Sequence, residues 1–162
     1  MPQHNIPPVY DAHSRVLILG SFPSVKSREA GFYYAHPQNR FWPMLAAVLH
    51  APLPHTTEEK QALLLAHGLA LWDAAAECEL TGSSDASITR VVPNDLRPLL
   101  RTADLRAVLC NGGTAHALYQ KHLFAQTLLP AQKLPSTSPA NARSTLPALI
   151  EAWSAALAPL LA

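Results

Sequence analysis

Charge is scarce in this sequence: Lys, Arg, Asp and Glu make up 14% of the 162 residues, and the formal net charge is +1. That excludes a broad electrostatic nucleic-acid binder, which needs many phosphate contacts, and it excludes a charged disordered chain. Long apolar runs are missing too. No stretch reaches the length of a membrane span, and the opening MPQHNIPPVYDAH has no charged-then-apolar leader layout. The expected location is therefore the cytoplasm, with no membrane partner. There are two cysteines, Cys78 and Cys110, and they form no C-x-x-C pair. The eight histidines are scattered without H-E-x-x-H or mixed Cys/His spacing. These absences imply no metal, iron–sulfur cluster or other cofactor. A G-x-S-x-G elbow is lacking as well, which argues against ester hydrolysis on an α/β sheet. With no linker or internal repeat, one domain is expected over residues 1–162.

Apolar residues, by contrast, make up 49% of the chain, enough to bury a sizeable core. Four short apolar runs read as buried strands at 15–19, 69–72, 105–110 and 132–134. Between them, helical spacing predicts helices from about 39 to 49, from 56 to 67, over 74–80, from the Asn94-Asp95 cap through Leu100, and from Thr114 onward. A last helix starts at Ser144, accepts Pro147 in its first turns and frays or stops at Pro159. Residues 1–14 read as an extended, Pro-rich lead-in, and 81–87 as a polar loop. Alternating strands and helices predict a three-layer α/β/α fold around a central parallel sheet of about four strands. The turns after these strands, GSFPS, Asp73, NGG and STSPAN, then gather at one sheet edge and make a single site.

The stretch 15–45 is the most informative. A strand ends at Gly20 in a hydroxyl-rich turn, and a polar and aromatic loop leads to Phe41, Trp42, Met44 and Leu45 at helical spacing. Asn39 precedes that helix and suits its N-cap. Asn111 opens an Asn-Gly turn, a place for positive φ, and Asp73 can cap the element that follows it.

GSFPS followed by GFYYAHPQNRFW resembles the first motif region of the uracil-DNA glycosylase superfamily, and within it the hypoxanthine (deoxyinosine) DNA glycosylase branch. The likeness extends in order to the NGG and STSPAN turns. It implies a uracil-DNA glycosylase-like fold and hydrolysis of the N-glycosidic bond of a deaminated base flipped out of DNA. The mismatch-specific uracil enzymes carry Asn in the turn where this chain has Phe22, so the resemblance shifts the expected catalytic role to Asn39, with Asn111 placing a water or the base edge. It assigns Phe22, Tyr34, Asp73 and Ser136 to the base, with Tyr34 stacking on it and Asp73 accepting N1–H of hypoxanthine or N3–H of uracil. Ser24, Ser27, Arg28, Ser138, Asn141 and Arg143 are assigned to the DNA backbone. Lys26 could in principle form a Schiff base, but nothing flanking it in sequence marks it as an activated nucleophile, so a monofunctional enzyme is expected, acting as a monomer. Two alternatives stay open: a mismatch-type uracil glycosylase, and a relative that binds damaged DNA without cutting it. An enzyme should aim Asn39 into the pocket beside Tyr34, whereas a pure binder can spend Asn39 wholly on its own helix.

Overall fold

The computed structural model describes residues 2–79 and 88–161. Its centre is a four-stranded parallel sheet of β1 (Val16–Gly20), β2 (Leu69–Asp73), β5 (Ala107–Asn111) and β6 (Ala131–Leu134), in the order β2-β1-β5-β6. The central strand β1 is buried on both faces, and its side chains alternate between two cores. Val16 and Ile18 join the cluster formed with α2 (Phe41–Val48) and α7 (Leu146–Leu161), where Trp153 and Phe41 are fully buried. Leu17 and Leu19 join the opposite cluster with Leu99 of α4 (Arg97–Thr102), Ala115 of α5 (Gly113–Leu118) and Tyr119 of the π-helical turn after it. This is the expected α/β/α sandwich.

Several local expectations are corrected. The pattern over 74–80 predicts a helix, yet Ala75–Glu79 forms β3, antiparallel to β4 (Thr89–Pro93) in a separate two-stranded sheet. The Ala and Glu content of that segment favours a helix locally. Pairing with the β-branched run of β4, and burial of Ala75 and Cys78 against Phe22, override it. Residues 81–87, expected as a polar loop, lie outside the described residues. The loop after β1 contains a six-residue helix, α1 (Val25–Ala30), capped by Ser24 and closed by Gly31 in the left-handed region. Asn94 does not cap a helix: its Nδ2 donates to the carbonyls of Asp73 and Ala75, and Asp95 accepts from Arg97 N–H instead. Thr145 rather than Ser144 caps α7, through Ala148 N–H. Pro159 does not end α7, which reaches Leu161, and Leu160 and Leu161 still pack on the core. None of the described helices is long and apolar enough to cross a membrane.

The lead-in is extended, as expected, and it has a definite seat. Val9 exchanges two backbone hydrogen bonds with Leu71 of β2, and His4 N–H donates to Ala76 O. Tyr33 fastens the strap from the other side, donating its hydroxyl to the carbonyls of Ile6 and Pro7. The N-terminus is thereby laid against the end of β2, where the polar turns gather.

Candidate active site

A pocket opens at the C-terminal edge of the parallel sheet, as the topology requires. Its lining includes Gly20, Phe22, Tyr34, Asn39, Asp73, Asn111, Ser136 and Thr137. Of the residues singled out from sequence, Ser24, Ser27, Arg28 and Ser138 line it as well, whereas Asn141 and Arg143 do not.

At its floor a hydrogen-bond chain links the ends of β5 and β6 to the start of α2. Thr137 N–H donates to Asn111 Oδ1 at 3.0 Å, and Asn111 Nδ2 donates to Thr137 Oγ1 at 3.0 Å. Thr137 Oγ1 is 2.9 Å from Asn39 Oδ1, which also accepts Phe41 N–H at 2.9 Å. The directions are not a matter of choice. Backbone N–H groups can only donate, so they identify both oxygens, and the Thr137 hydroxyl, receiving from Asn111, must give its proton to Asn39. Asn39 Oδ1 therefore has two donors and both lone pairs engaged, while none of the described residues accepts from its Nδ2. Asn39 is not the N-cap of α2 as its sequence position suggested: Arg40 holds that place, and Asn39, one residue earlier, takes the first helical N–H and lines the pocket.

Asn111 is buried and lines the pocket, with one amide N–H and one oxygen lone pair engaged by Thr137. The positive φ of the Asn-Gly turn belongs to Gly112, at 98°, where an added Cβ would press on Ser136. Thr137 is completely buried, and sequence reasoning passed over it for the serines on either side; the alternation Ser136-Thr137-Ser138 was the available signal. Arg40 was also missed as a brace. Its guanidinium donates to the carbonyls of Ser138, Asn141 and Ser144, tying the 136–144 loop to α2. Asn141 supports the same loop, donating to Ser136 O and Ser144 Oγ, and Arg143 is exposed. The Ser24 and Ser27 hydroxyls face each other at 3.1 Å. Ser24 Oγ caps α1, and the buried Ser27 accepts Ala35 N–H, so both brace the loop.

Tyr34 stacks on Phe41, with ring centroids 4.2 Å apart, and holds a positive φ of 54°. One face of its ring is thus backed by the core, and the residue lines the pocket with Phe22. The Arg28 guanidinium lies 5.4 Å from the centroid of the Phe22 ring.

Asp73 is the buried carboxylate of the site. It lies across from Gly20 in the β1–β2 register. A Cβ added at Gly20 would overlap Asp73 Oδ1 and approach the Tyr34 hydroxyl to 2.9 Å. Asp73 Oδ2 is 2.9 Å from His4 Nε2, a partner unforeseen from sequence, and both side chains are nearly inaccessible, at 3% for His4 and 4% for Asp73. Tyr33 stands alongside with its phenol pKa raised well above the usual value, by burial first and then by the Asp73 and Tyr34 charges, so it remains a donor. A Gly20→Ala variant should fold, because the overlap is with a side chain and not with backbone, yet Asp73 is pinned by His4 and has little room to yield. Its activity should fall by about 10²-fold, as expected when reacting groups are displaced by about 1 Å, and the overlap should lower the melting temperature by the equivalent of about 1–3 kcal/mol in a thermal scan.

A family model described as the uracil DNA glycosylase superfamily matches residues 7–157. A hypoxanthine DNA glycosylase from Methanosarcina acetivorans is 31% identical over 88% of this chain and 90% of its own length. A hypoxanthine DNA glycosylase from Methanosarcina barkeri is 32% identical over 69% of this chain and 72% of its own. A solution NMR structure of a Methanosarcina acetivorans protein, described as a candidate uracil DNA glycosylase, superposes with a TM-score of 0.81 at 30% identity, over 96% of both chains.

Proposed function

The chain belongs to the uracil DNA glycosylase superfamily, and on that premise we propose that it excises hypoxanthine from deoxyinosine in DNA. The observation that carries this reading is the fixed polarity of the Asn111–Thr137–Asn39 chain, which leaves the Asn39 Nδ2 donor in the pocket that also holds the Asp73 carboxylate and Tyr34. The two curated relatives, both named hypoxanthine DNA glycosylase, support the choice of base.

In this mechanism the nucleotide turns out of the stack and the base enters the pocket over the face of Tyr34 opposite Phe41, a contact worth about 1–3 kcal/mol. Asp73 Oδ1 accepts N1–H of the base. The bond between C1′ and the base nitrogen breaks, its electron pair leaving with the base, as water oxygen bonds to C1′. The water's surplus proton passes to solvent, and the base ends protonated and neutral. With its oxygen saturated, Asn39 acts by donating Nδ2–H to the departing base, and stabilises the negative charge developing there instead of abstracting a proton. No lysine adduct is required, so the enzyme is monofunctional. The loops carrying Ser24 and Ser138 lie at the pocket rim to meet the DNA backbone. A single chain supplies every group named, so the monomer suffices.

A gel assay with end-labelled oligonucleotides holding one deoxyinosine or one deoxyuridine tests the reading. Strand breaks at deoxyinosine that appear only after alkali are the expected result. Cleavage confined to deoxyuridine would transfer the chain to the uracil branch, and binding with no cleavage of either would leave a damaged-DNA-binding protein.

A further inference from the structure

The strap that carries His4 to the end of β2 does more than cover an edge. Ile6 N–H donates to His4 Nδ1 at 3.2 Å, so that nitrogen is unprotonated and the ring proton lies on Nε2, aimed at Asp73 Oδ2. The imidazole fills the space beside Oδ2, walled by the rings of Phe22, Tyr33 and Trp72 with centroids 6.0, 6.0 and 6.2 Å away. Oδ1 alone is left on the side of Gly20 and Tyr34, both of which line the pocket.

We propose that His4 is a specificity-determining residue that makes Asp73 a one-oxygen acceptor and thereby rejects guanine. The inference rests on the function proposed above. Hypoxanthine and guanine share O6 and N1–H and differ by the exocyclic amine at C2. A carboxylate with both oxygens available pairs with N1–H and the C2 amine together, and so binds guanine better than hypoxanthine. With Oδ2 covered by His4, Oδ1 satisfies N1–H, the one donor of hypoxanthine on this edge, whereas the guanine amine enters the buried end of the pocket without an acceptor. Such a filter matters because guanine is abundant in intact DNA and also presents the N1–H that Asp73 takes. His4 acts through Asp73, so it is a positioning residue.

The test compares the parent chain with His4→Ala, which opens Oδ2, and His4→Gln, whose amide N–H can cover it again. Binding of free hypoxanthine and free guanine is followed by NMR shifts, and excision is followed on oligonucleotides with deoxyinosine or deoxyguanosine. The parent should bind hypoxanthine about tenfold or more tighter than guanine, His4→Ala should erase or invert that ratio, and His4→Gln should restore most of it. Loss of strap packing alone would weaken both bases equally and leave the ratio unchanged, which overturns the proposal. If His4→Ala does not fold, the parent still decides: equal or tighter binding of guanine by the parent sinks the inference. Absence of deoxyinosine excision by the parent sinks the functional reading instead, so the two failures are distinct.

Discussion

Replacing Asn39 by aspartate should leave the protein folded and remove most of its excision activity. The substitution keeps everything the oxygen does. A carboxylate accepts Phe41 N–H and the Thr137 hydroxyl as the amide does. Only the Nδ2 donor disappears. If Asn39 works by donating to developing charge, excision of hypoxanthine falls by about 10²–10³-fold, the usual cost of one such donor, while the melting temperature stays within a few degrees of the parent. Asn39→Ala should lose the same activity and, in addition, about 1–3 kcal/mol of stability, because the Phe41 N–H and the Thr137 hydroxyl lose their acceptor. Single-turnover rates and thermal unfolding on both variants separate the two roles. An aspartate variant as fast as the parent would show that the position works as an acceptor, by activating water or facing the sugar cation.

How far the site was legible follows from the range over which each signal acts. The strands at β1, β2, β5 and β6 declare themselves in short apolar runs that end in turn residues, so the residue pattern alone places the sheet edge and the Asn39, Asp73 and Asn111 positions on it. The segment at β3 is different, because its strand identity comes from β4 and from the strap, neither adjacent to it in a recognisable pattern. His4 is the extreme case. It sits in a Pro-rich lead-in with no motif, 69 residues before its partner Asp73, and the strap's pairing with β2 and β3 and its bonds to Tyr33 bring the two together. Thr137 was hidden for another reason: among hydroxyl residues at a turn, sequence does not say which side chain faces inward. The same ambiguity made Ser27 look like a phosphate donor when its oxygen holds Ala35 N–H inside the loop. Arg28 looked like a backbone contact, yet its guanidinium lies over Phe22; Arg40 gave no signal of its own and is spent on three carbonyls.

Asp73→Asn should do more than weaken the enzyme; it should reverse what the pocket accepts. The direction of the His4 bond is fixed from behind by Ile6 N–H, so His4 Nε2 offers a proton and requires an acceptor. The amide introduced at 73 must meet it with its oxygen, which turns the NH₂ toward Gly20 and Tyr34, where Asp73 Oδ1 lay. A donor then faces N1–H of hypoxanthine, also a donor. The lost bond is to a charged group, and the new arrangement leaves two buried donors opposed, so excision of hypoxanthine should drop by about 10³-fold or more. Adenine carries an unprotonated N1 and should gain in binding relative to hypoxanthine. The size of the side chain is unchanged, so thermal stability should stay close to the parent's. Pairing Asp73→Asn with His4→Gln supplies a partner that can present either a carbonyl or an N–H. The new amide is then free to rotate its oxygen into the pocket, and part of the hypoxanthine activity should return, a coupling that independent sites would not show. Excision rates and free-base binding across the four combinations measure that coupling. Full deoxyinosine activity in Asp73→Asn alone would mean that Asp73 does not read the base, and strictly additive losses in the double variant would mean that His4 does not set its orientation.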